Sequence, residues 1–394
     1  MAAADRRGLM RPRGGAEEAR VEFVELFFDL VFVFAITQLS HRLIEHPTAL
    51  GAAETLILFA AIWWAWINTA WVTNWLDPHR TRVRLLLFAM MAAGLLVSMS
   101  IPEAFAERGL SFACAYVAME LGRSLFTAIA LKRHDPANHL NFLRILIWQA
   151  AAAACWIAGG IADGPHRLLL WTLALAIYSA GPVSYFWVPG LGHSCAADWT
   201  IDPHHLAERC GLFIILALGE SILVMGATFA ELEWDAAPAA AFVGALVGTV
   251  AMWWLYFNIG AVRATHMFEA SAEPGRVGRF AYTYLHAPIV AGIVIWAAAV
   301  EWGLAHPLGE AEPHVRLAAI GGPALYLAGN AAFKRATGAR WWPLSHSFGL
   351  GVLALLAAAS RWLTPTAIGL AVAALLLTVA IWETRSLRGQ GDQS

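Results

Sequence analysis

Residues 21–38 read VEFVELFFDLVFVFAITQ, and the fold turns on how this stretch is read. Taken on to residue 44, it is an apolar run of the length needed to cross a hydrocarbon core about 30 Å thick. It also carries Glu22, Glu25 and Asp29, whose i, i+3, i+7 spacing puts all three on one helical face. A cleaved signal peptide is not expected, because the run holds acidic residues and no small-residue cleavage site follows it. It is a membrane span with a polar face. Eleven further runs of similar length follow, so a buried helix of a soluble domain does not account for the pattern.

The composition agrees. Apolar and aromatic types make up 59% of the 394 residues and charged types 14%, against about 25% charged in soluble domains. Charge gathers between the runs, which fall near 22–44, 50–74, 83–101, 110–131, 141–160, 167–186, 207–230, 236–262, 279–301, 315–333, 341–360 and 365–384. The nineteen Trp fit a membrane setting, where indoles favour the interface. Cys114, Cys155, Cys195 and Cys210 have no metal-like spacing and read as packing residues without a disulfide framework. Arg outnumbers Lys 24 to 2, as a high-GC bacterial genome would favour.

Orientation follows from Lys and Arg, which favour cytoplasmic loops. The N-terminal tail and alternate loops hold 20 of the 26 basic residues, the other loops and span ends hold five, and Arg123 alone sits inside a span. The expected fold class is therefore all-α: a polytopic transmembrane helical bundle of about twelve spans with both termini cytoplasmic. A disordered basic tail (1–21) precedes a first six-helix repeat (22–186), a central cytoplasmic loop (187–206), a second six-helix repeat (207–385) and a short tail (386–394). The repeat rests chiefly on Trp63-Trp64-Ala65-Trp66-Ile67-Asn68 in span 2 and Trp253-Trp254-Leu255-Tyr256-Phe257-Asn258 in span 8. Glu25, Ala35 and Gln38 can be laid over Glu208, Leu218 and Ser221, and spans 4 and 10 both end in a basic pair, Lys132-Arg133 and Lys334-Arg335. With six spans each, the two repeats enter the membrane in the same direction, which makes them parallel rather than inverted.

Three motifs carry a family resemblance. They are the span 1 stretch from Val21 to Ala35, the span 7 stretch Glu208-Arg209-Cys210-Gly211 with Gly219-Glu220-Ser221, and Arg340-Trp341-Trp342-Pro343-Leu344-Ser345-His346 at the head of span 11. Together they resemble the bacterial low temperature requirement protein A family over nearly the whole chain. That resemblance implies a cold-growth phenotype and supports the topology, and it implies no particular chemistry. A fainter likeness links Phe27, Asp29, Val31, Phe32, Ala35, Ile36, Thr37 and Leu39 to the pore-helix motif of the endolysosomal potassium channel family. Here Phe28 stands where that family has Ser, Phe23 where it has Arg, and span 7 lacks the motif.

Ionisable groups in the hydrocarbon cost about 2.5–3.5 kcal/mol each at mid-span, so each needs a reason to be there. Counting helical rise from the cytoplasmic boundary puts Asp29, Asn68, Arg123 and His286 in one layer about 10 Å deep, with Glu120 a turn beyond Arg123 and Glu25 a turn before Asp29. The candidate intramembrane polar site is thus Glu25, Asp29, Asn68, Glu120, Arg123, Glu220 and His286. The plainer reading is a salt bridge, Asp29 with Arg123 or Glu120 with Arg123, that only fixes helix packing. Glu220, at mid-span beside Gly219 and Ser221, is the best candidate for a protonatable carboxylate, and a hydrogen bond to a neighbouring span explains it equally well. The Trp63-Trp64 and Trp253-Trp254 pairs lie too deep for an interfacial belt and read as packing elements. His204, His205, Asp202 and Glu208 read as a solvated loop in preference to a metal site.

Several classes fall away. Neither Lys132 nor Lys334 follows a Gly-rich phosphate loop, neither is placed for a retinal Schiff base, and no H-E-x-x-H or G-x-S-x-G occurs. No cofactor, metal or nucleic-acid partner is expected. The expected partners are the lipid bilayer and a small solute or ion. The favoured reading is a transporter or channel-like protein of the plasma (inner) membrane, with proton coupling through Glu220 or Asp29. The alternatives are a membrane-embedded enzyme or lipid-handling protein of the envelope, and a non-catalytic stress factor.

Overall fold

The computed structural model describes residues 8–11, 20–195, 198–199, 201–258, 260–338 and 342–391. Its helices are α1 (Phe23–Glu45), α2 (Ala49–Trp75), α3 (Thr81–Ser100), α4 (Gly109–Leu131), α5 (Pro136–Ile161), α6 (Gly164–Val183), α7 (Pro203–Ala230), α8 (Ala236–Phe257), α9 (Gly260–Glu269), α10 (Pro274–Val277), α11 (His286–Ala305), α12 (Pro313–Ala336), α13 (Leu344–Ala359) and α14 (Pro365–Gly391). Among the described residues the only extended pairings are two isolated bridges, Met10 with Leu76 and Val188 with Gly192. Among the described residues ten segments are long and apolar enough to cross a membrane, including Pro274–Ala305 taken as one. Of the twelve runs expected, those forming α6 and α12 are not among the ten.

The helix starts follow their sequence. Asp135 caps α5 by accepting from the Asn138 amide at 3.0 Å, ahead of Pro136. Asp202 does the same for α7, accepting from His205 N at 3.1 Å ahead of Pro203. In both, the carboxylate satisfies an orphan amide and the proline fixes φ where no donor is needed. The cap starts α7 at Pro203, four residues before the expected span, and so carries Arg209 well inside the helix. The expected span 8 ends early, at Phe257, and α9 follows as a separate helix. The opening of span 11 at residues 339–341 lies outside the described residues.

The chain divides into two compact units. The first comprises residues 1–42, 49–209 and 272–279, and in it α4 packs on α3 and α5, α5 on α6, and α2 on α4 and α6. The second comprises 43–48, 210–271 and 280–394, and in it α11 packs on α12, and α14 on α8 and α13. In the second unit α11 and α12 touch backbone to backbone. A Cβ on Gly292 would fall 2.6 Å from Tyr326 N and 2.7 Å from Gly322 O, and one on Gly322 would fall 2.9 Å from Gly292 O. Only glycine fits such a crossing, the small-residue packing that brings membrane helices together. Before α11 the chain winds as a π-helix over Gly278–Tyr284, with Leu285 N donating to Phe280 O at 3.2 Å.

Two expectations need correcting. Leu9, Met10 and Arg11, expected in a loose tail, are docked: Asp77 N donates to Leu9 O at 2.8 Å and Arg11 N to Trp75 O at 2.7 Å. Leu9 and Met10 pack against a cluster that includes Val72, Trp75, Leu76 and Phe142, which supplies the apolar contact that holds them. The second concerns the Trp pairs. Trp63 and Trp64 are buried, but Trp253 and Trp254 are 43% and 41% exposed, because they lie on an outer face of α8.

Candidate functional site

In the first unit α1 and α7 are joined by a buried ion pair, Asp29 with Arg209, and a turn away by a buried hydrogen bond between His205 and Glu25. Glu25 and Asp29 on α1 face His205 and Arg209 on α7, and all four are fully buried. Arg209 Nη2 donates to Asp29 Oδ1 at 2.8 Å, and Trp66 Nε1 of α2 donates to the same oxygen at 2.9 Å. The Arg209 guanidinium also lies 5.8 Å from the centre of a Trp66 ring. Asp29 Oδ2 and Arg209 Nε and Nη1 have no hydrogen-bond partner among the described residues.

The Glu25 level is more fully occupied. The Asn74 amide is oriented by Asp202 N, which donates to its Oδ1 at 2.8 Å. Its Nδ2 therefore donates to Asp202 O at 2.8 Å and to His205 Nδ1 at 3.2 Å. With Nδ1 accepting, the ring proton is on Nε2, which donates to Glu25 Oε1 at 2.9 Å. Glu25 Oε2 accepts from Arg11 Nη2 at 2.8 Å and from Glu22 N at 2.9 Å. His205, weighed in the sequence as a metal ligand, is thus a donor to a carboxylate.

A second cluster lies on the other face of α2. Arg123 Nη2 donates to Glu120 Oε2 at 2.6 Å, and its Nη1 lies 3.1 Å from Ala65 O and 3.2 Å from Thr69 Oγ1. Tyr178 Oη accepts from Asn68 and from Gln149, each at 2.9 Å, and Gln149 reaches Glu120 at 3.5 Å. Of the two pairings expected for Arg123, the structure has the one with Glu120. Asp29 is paired with Arg209.

The remaining candidates belong to the second unit. His286 Nδ1 donates to Ala281 O at 3.0 Å, in the π-helix, which leaves Nε2 to accept from Tyr256 Oη at 2.7 Å. The imidazole stacks on Tyr282 at 5.1 Å and meets Phe333 edge-on. Glu220 is buried in α7. Lys334, which the sequence counted as a helix-end base, is buried, donating to both oxygens of Glu383 at 2.7 and 2.8 Å and to Leu255 O at 3.0 Å. In the connection before α7, burial opposes ionisation of Asp198, but donation from Cys195 N and Asn141 outweighs it and holds the pKa below the ordinary carboxylate value.

Arg11, Arg209 and His205 were missed as site residues. One signal was available: His205 and Arg209 repeat the i, i+4 spacing of Glu25 and Asp29, behind the Asp202-Pro203 cap.

Helices apolar towards the outside, with paired charges kept within, define a multi-pass integral membrane protein. The chain belongs to the bacterial low temperature requirement A family, whose description, bacterial low temperature requirement A protein, matches residues 20–381. It is similar to an uncharacterised protein of Rhizobium meliloti (strain 1021), with 43% identity over 338 residues, which cover 86% of this chain and 82% of that protein. No solved structure matches it.

Proposed function

We propose that this protein moves a small solute or ion across the plasma (inner) membrane, as a transporter or channel-like protein. The observation that carries the reading is the Asp29–Arg209 pair. Both groups are fully buried in helices of membrane-spanning length, and three of their polar atoms have no partner among the described residues. A pair serving only to lock helices is favoured when every donor and acceptor is matched. Open valences at membrane depth suit a polar solute or water in passage.

The architecture proposed with it is twelve spans in two six-helix repeats, 22–186 and 207–385, with both termini cytoplasmic. Here α6 and α12 complete the count, since 20 and 24 residues rise about 30 and 36 Å. Three contacts support the repeat. Trp64 Nε1 donates to Ser179 on the sixth span, and Trp254 Nε1 to Thr384 on the twelfth. Asn68 donates to Tyr178 and Asn258 to Thr384. The carbonyl after each Trp pair, Ala65 O or Leu255 O, accepts from a buried base of the fourth or tenth span, Arg123 or Lys334. The compact units part at Arg209 and Cys210, close to this boundary, apart from the exchanged stretches 43–48 and 272–279.

The test is flux in proteoliposomes under imposed ion and pH gradients, with currents recorded on a supported membrane. The full chain should give a protein-dependent signal. Asp29→Asn and Glu220→Gln, checked for folding in detergent, should lose most of it. Flux that survives intact in both folded variants would remove the carboxylates from the mechanism and the reading with them.

A further inference from the structure

Among the described residues at the Glu25 level, Arg11 contributes a charged side chain from outside the helices. Its guanidinium is held along its edges: Nη2 on Glu25 Oε2 at 2.8 Å, Nε on Thr73 O at 2.9 Å and Nη1 on Arg20 O at 3.1 Å. Arg11 Nη2 also lies 3.2 Å from His205 Nε2, but that nitrogen carries the proton donated to Glu25, so the two groups are donors converging on one carboxylate. Two carboxylates, Glu25 and Asp29, and two guanidiniums, Arg11 and Arg209, make up the charge of this paired layer. Without Arg11 the layer keeps one buried negative charge and an acceptor set of Glu25 Oε2 and Thr73 O, oriented by the helices themselves. A buried carboxylate in that state draws in a cation.

We infer that this is a binding site for a guanidinium-bearing organic cation, and that the chain fills it with its own Arg11. Leu9–Arg11 is a strap laid over the end of α2, and lifting it exposes the site. Acceptors on Nε, Nη1 and Nη2, a carboxylate oxygen and two carbonyls, fit the fixed fork of a guanidinium better than the point charge of a small metal ion. The tether gives Arg11 a high effective concentration, so a free cation binds the intact chain weakly and the opened chain well. The site deepens the transport reading, yet binding is measurable without any flux.

The experiment uses the full-length protein in detergent and methylguanidinium as the probe, with sodium at equal ionic strength as control. Arg11→Gly should lower Tm, and methylguanidinium should restore most of the loss. The unaltered chain should shift less, and Arg11→Gly with Glu25→Gln should not respond. In proteoliposomes, Arg11→Gly should take up methylguanidinium several-fold faster than the unaltered chain. Thermal rescue without uptake in any variant keeps the site and rejects transport. A folded Arg11→Gly that methylguanidinium does not stabilise rejects the site. Should Arg11→Gly fail to fold, Met10→Cys in a chain with its four native cysteines replaced by serine decides the matter. Methylguanidinium should then speed maleimide labelling of the strap several-fold, and an unchanged rate overturns the proposal.

Discussion

Asp29 and Arg209 stabilise the first unit only as a pair. Either charge alone, held in a low-dielectric interior with its partner removed, costs about 3–5 kcal/mol. Asp29→Asn and Arg209→Gln should each lower the unfolding free energy by roughly that amount in an SDS titration, whereas the double variant should recover part of the loss. A double-mutant cycle checks the coupling, and simple additivity would mean that the 2.8 Å contact carries no energy. The acidic half of this site was legible in the sequence, because helical spacing alone puts Glu25 and Asp29 on one face. The basic half was not. A span start at residue 207 leaves Arg209 at a solvated helix end, where a positive charge needs no partner, so Arg123 was the only buried base in view. Four more residues of helix at the front of α7, set by the Asp202 cap, turn the same arginine into an obligatory ion-pair partner. Arg11 was hidden for a different reason. Its partner is fixed by three residues docking through backbone bonds and an apolar cluster, which no periodicity announces.

At the scale of elements, existence was easier to read than ends. Apolar length marks a helix because an unpaired backbone cannot lie in hydrocarbon. The break after Phe257 and the π-helix over Gly278–Tyr284 depend instead on local contacts, such as the His286 ring on Ala281 O. The Trp253-Trp254 pair misled for a related reason: depth along a helix says nothing about which way a side chain faces, and these indoles lie on an outer face. The α11–α12 crossing is where one atom matters most. Gly292→Val would drive its side chain into Tyr326 N and Gly322 O, at 2.6 and 2.7 Å already for the Cβ, and helix backbone cannot give way as a side-chain tip does. We expect a loss of at least about 2 kcal/mol, in the range of overpacked cores, seen as lower Tm and lower yield of monodisperse protein. Gly303→Ala, on the same helix with nothing within 4 Å of its Cβ, should be neutral and serves as the control. Equal Tm values for the two would refute the close crossing.

For the molecule as a whole, the membrane class followed from composition, and the proposed orientation rests on the count of basic residues. The structure shows what three of the basic residues on the minority side are doing. Arg42 is buried against Glu54 and Pro102 O, each at 2.5 Å. Arg108 lies 3.4 Å from Glu103. Arg167 places its guanidinium on the carbonyls of Gly159 and Ala162 at the end of α5 and of Ala104 and Ala106 in the turn before α4. Arg42 and Arg167 are buried on these acceptors; on the majority side Arg209 and Lys334 are likewise buried and paired, whereas Arg276 is exposed beside Glu273. The proposed orientation therefore rests on the count of Lys and Arg near the span ends. A reporter fused after Glu233, just beyond α7, should therefore be active outside, and one fused after Arg276, ahead of α11, should be active inside. Paired alkaline phosphatase and fluorescent-protein fusions at both positions measure this directly. A cytoplasmic Glu233 fusion would reverse α7 and, with it, the side from which Arg11 reaches Glu25. Both fusions on one side would require the segment between them to return without crossing, which breaks the twelve-span arrangement while leaving the α1–α7 ion pair in place.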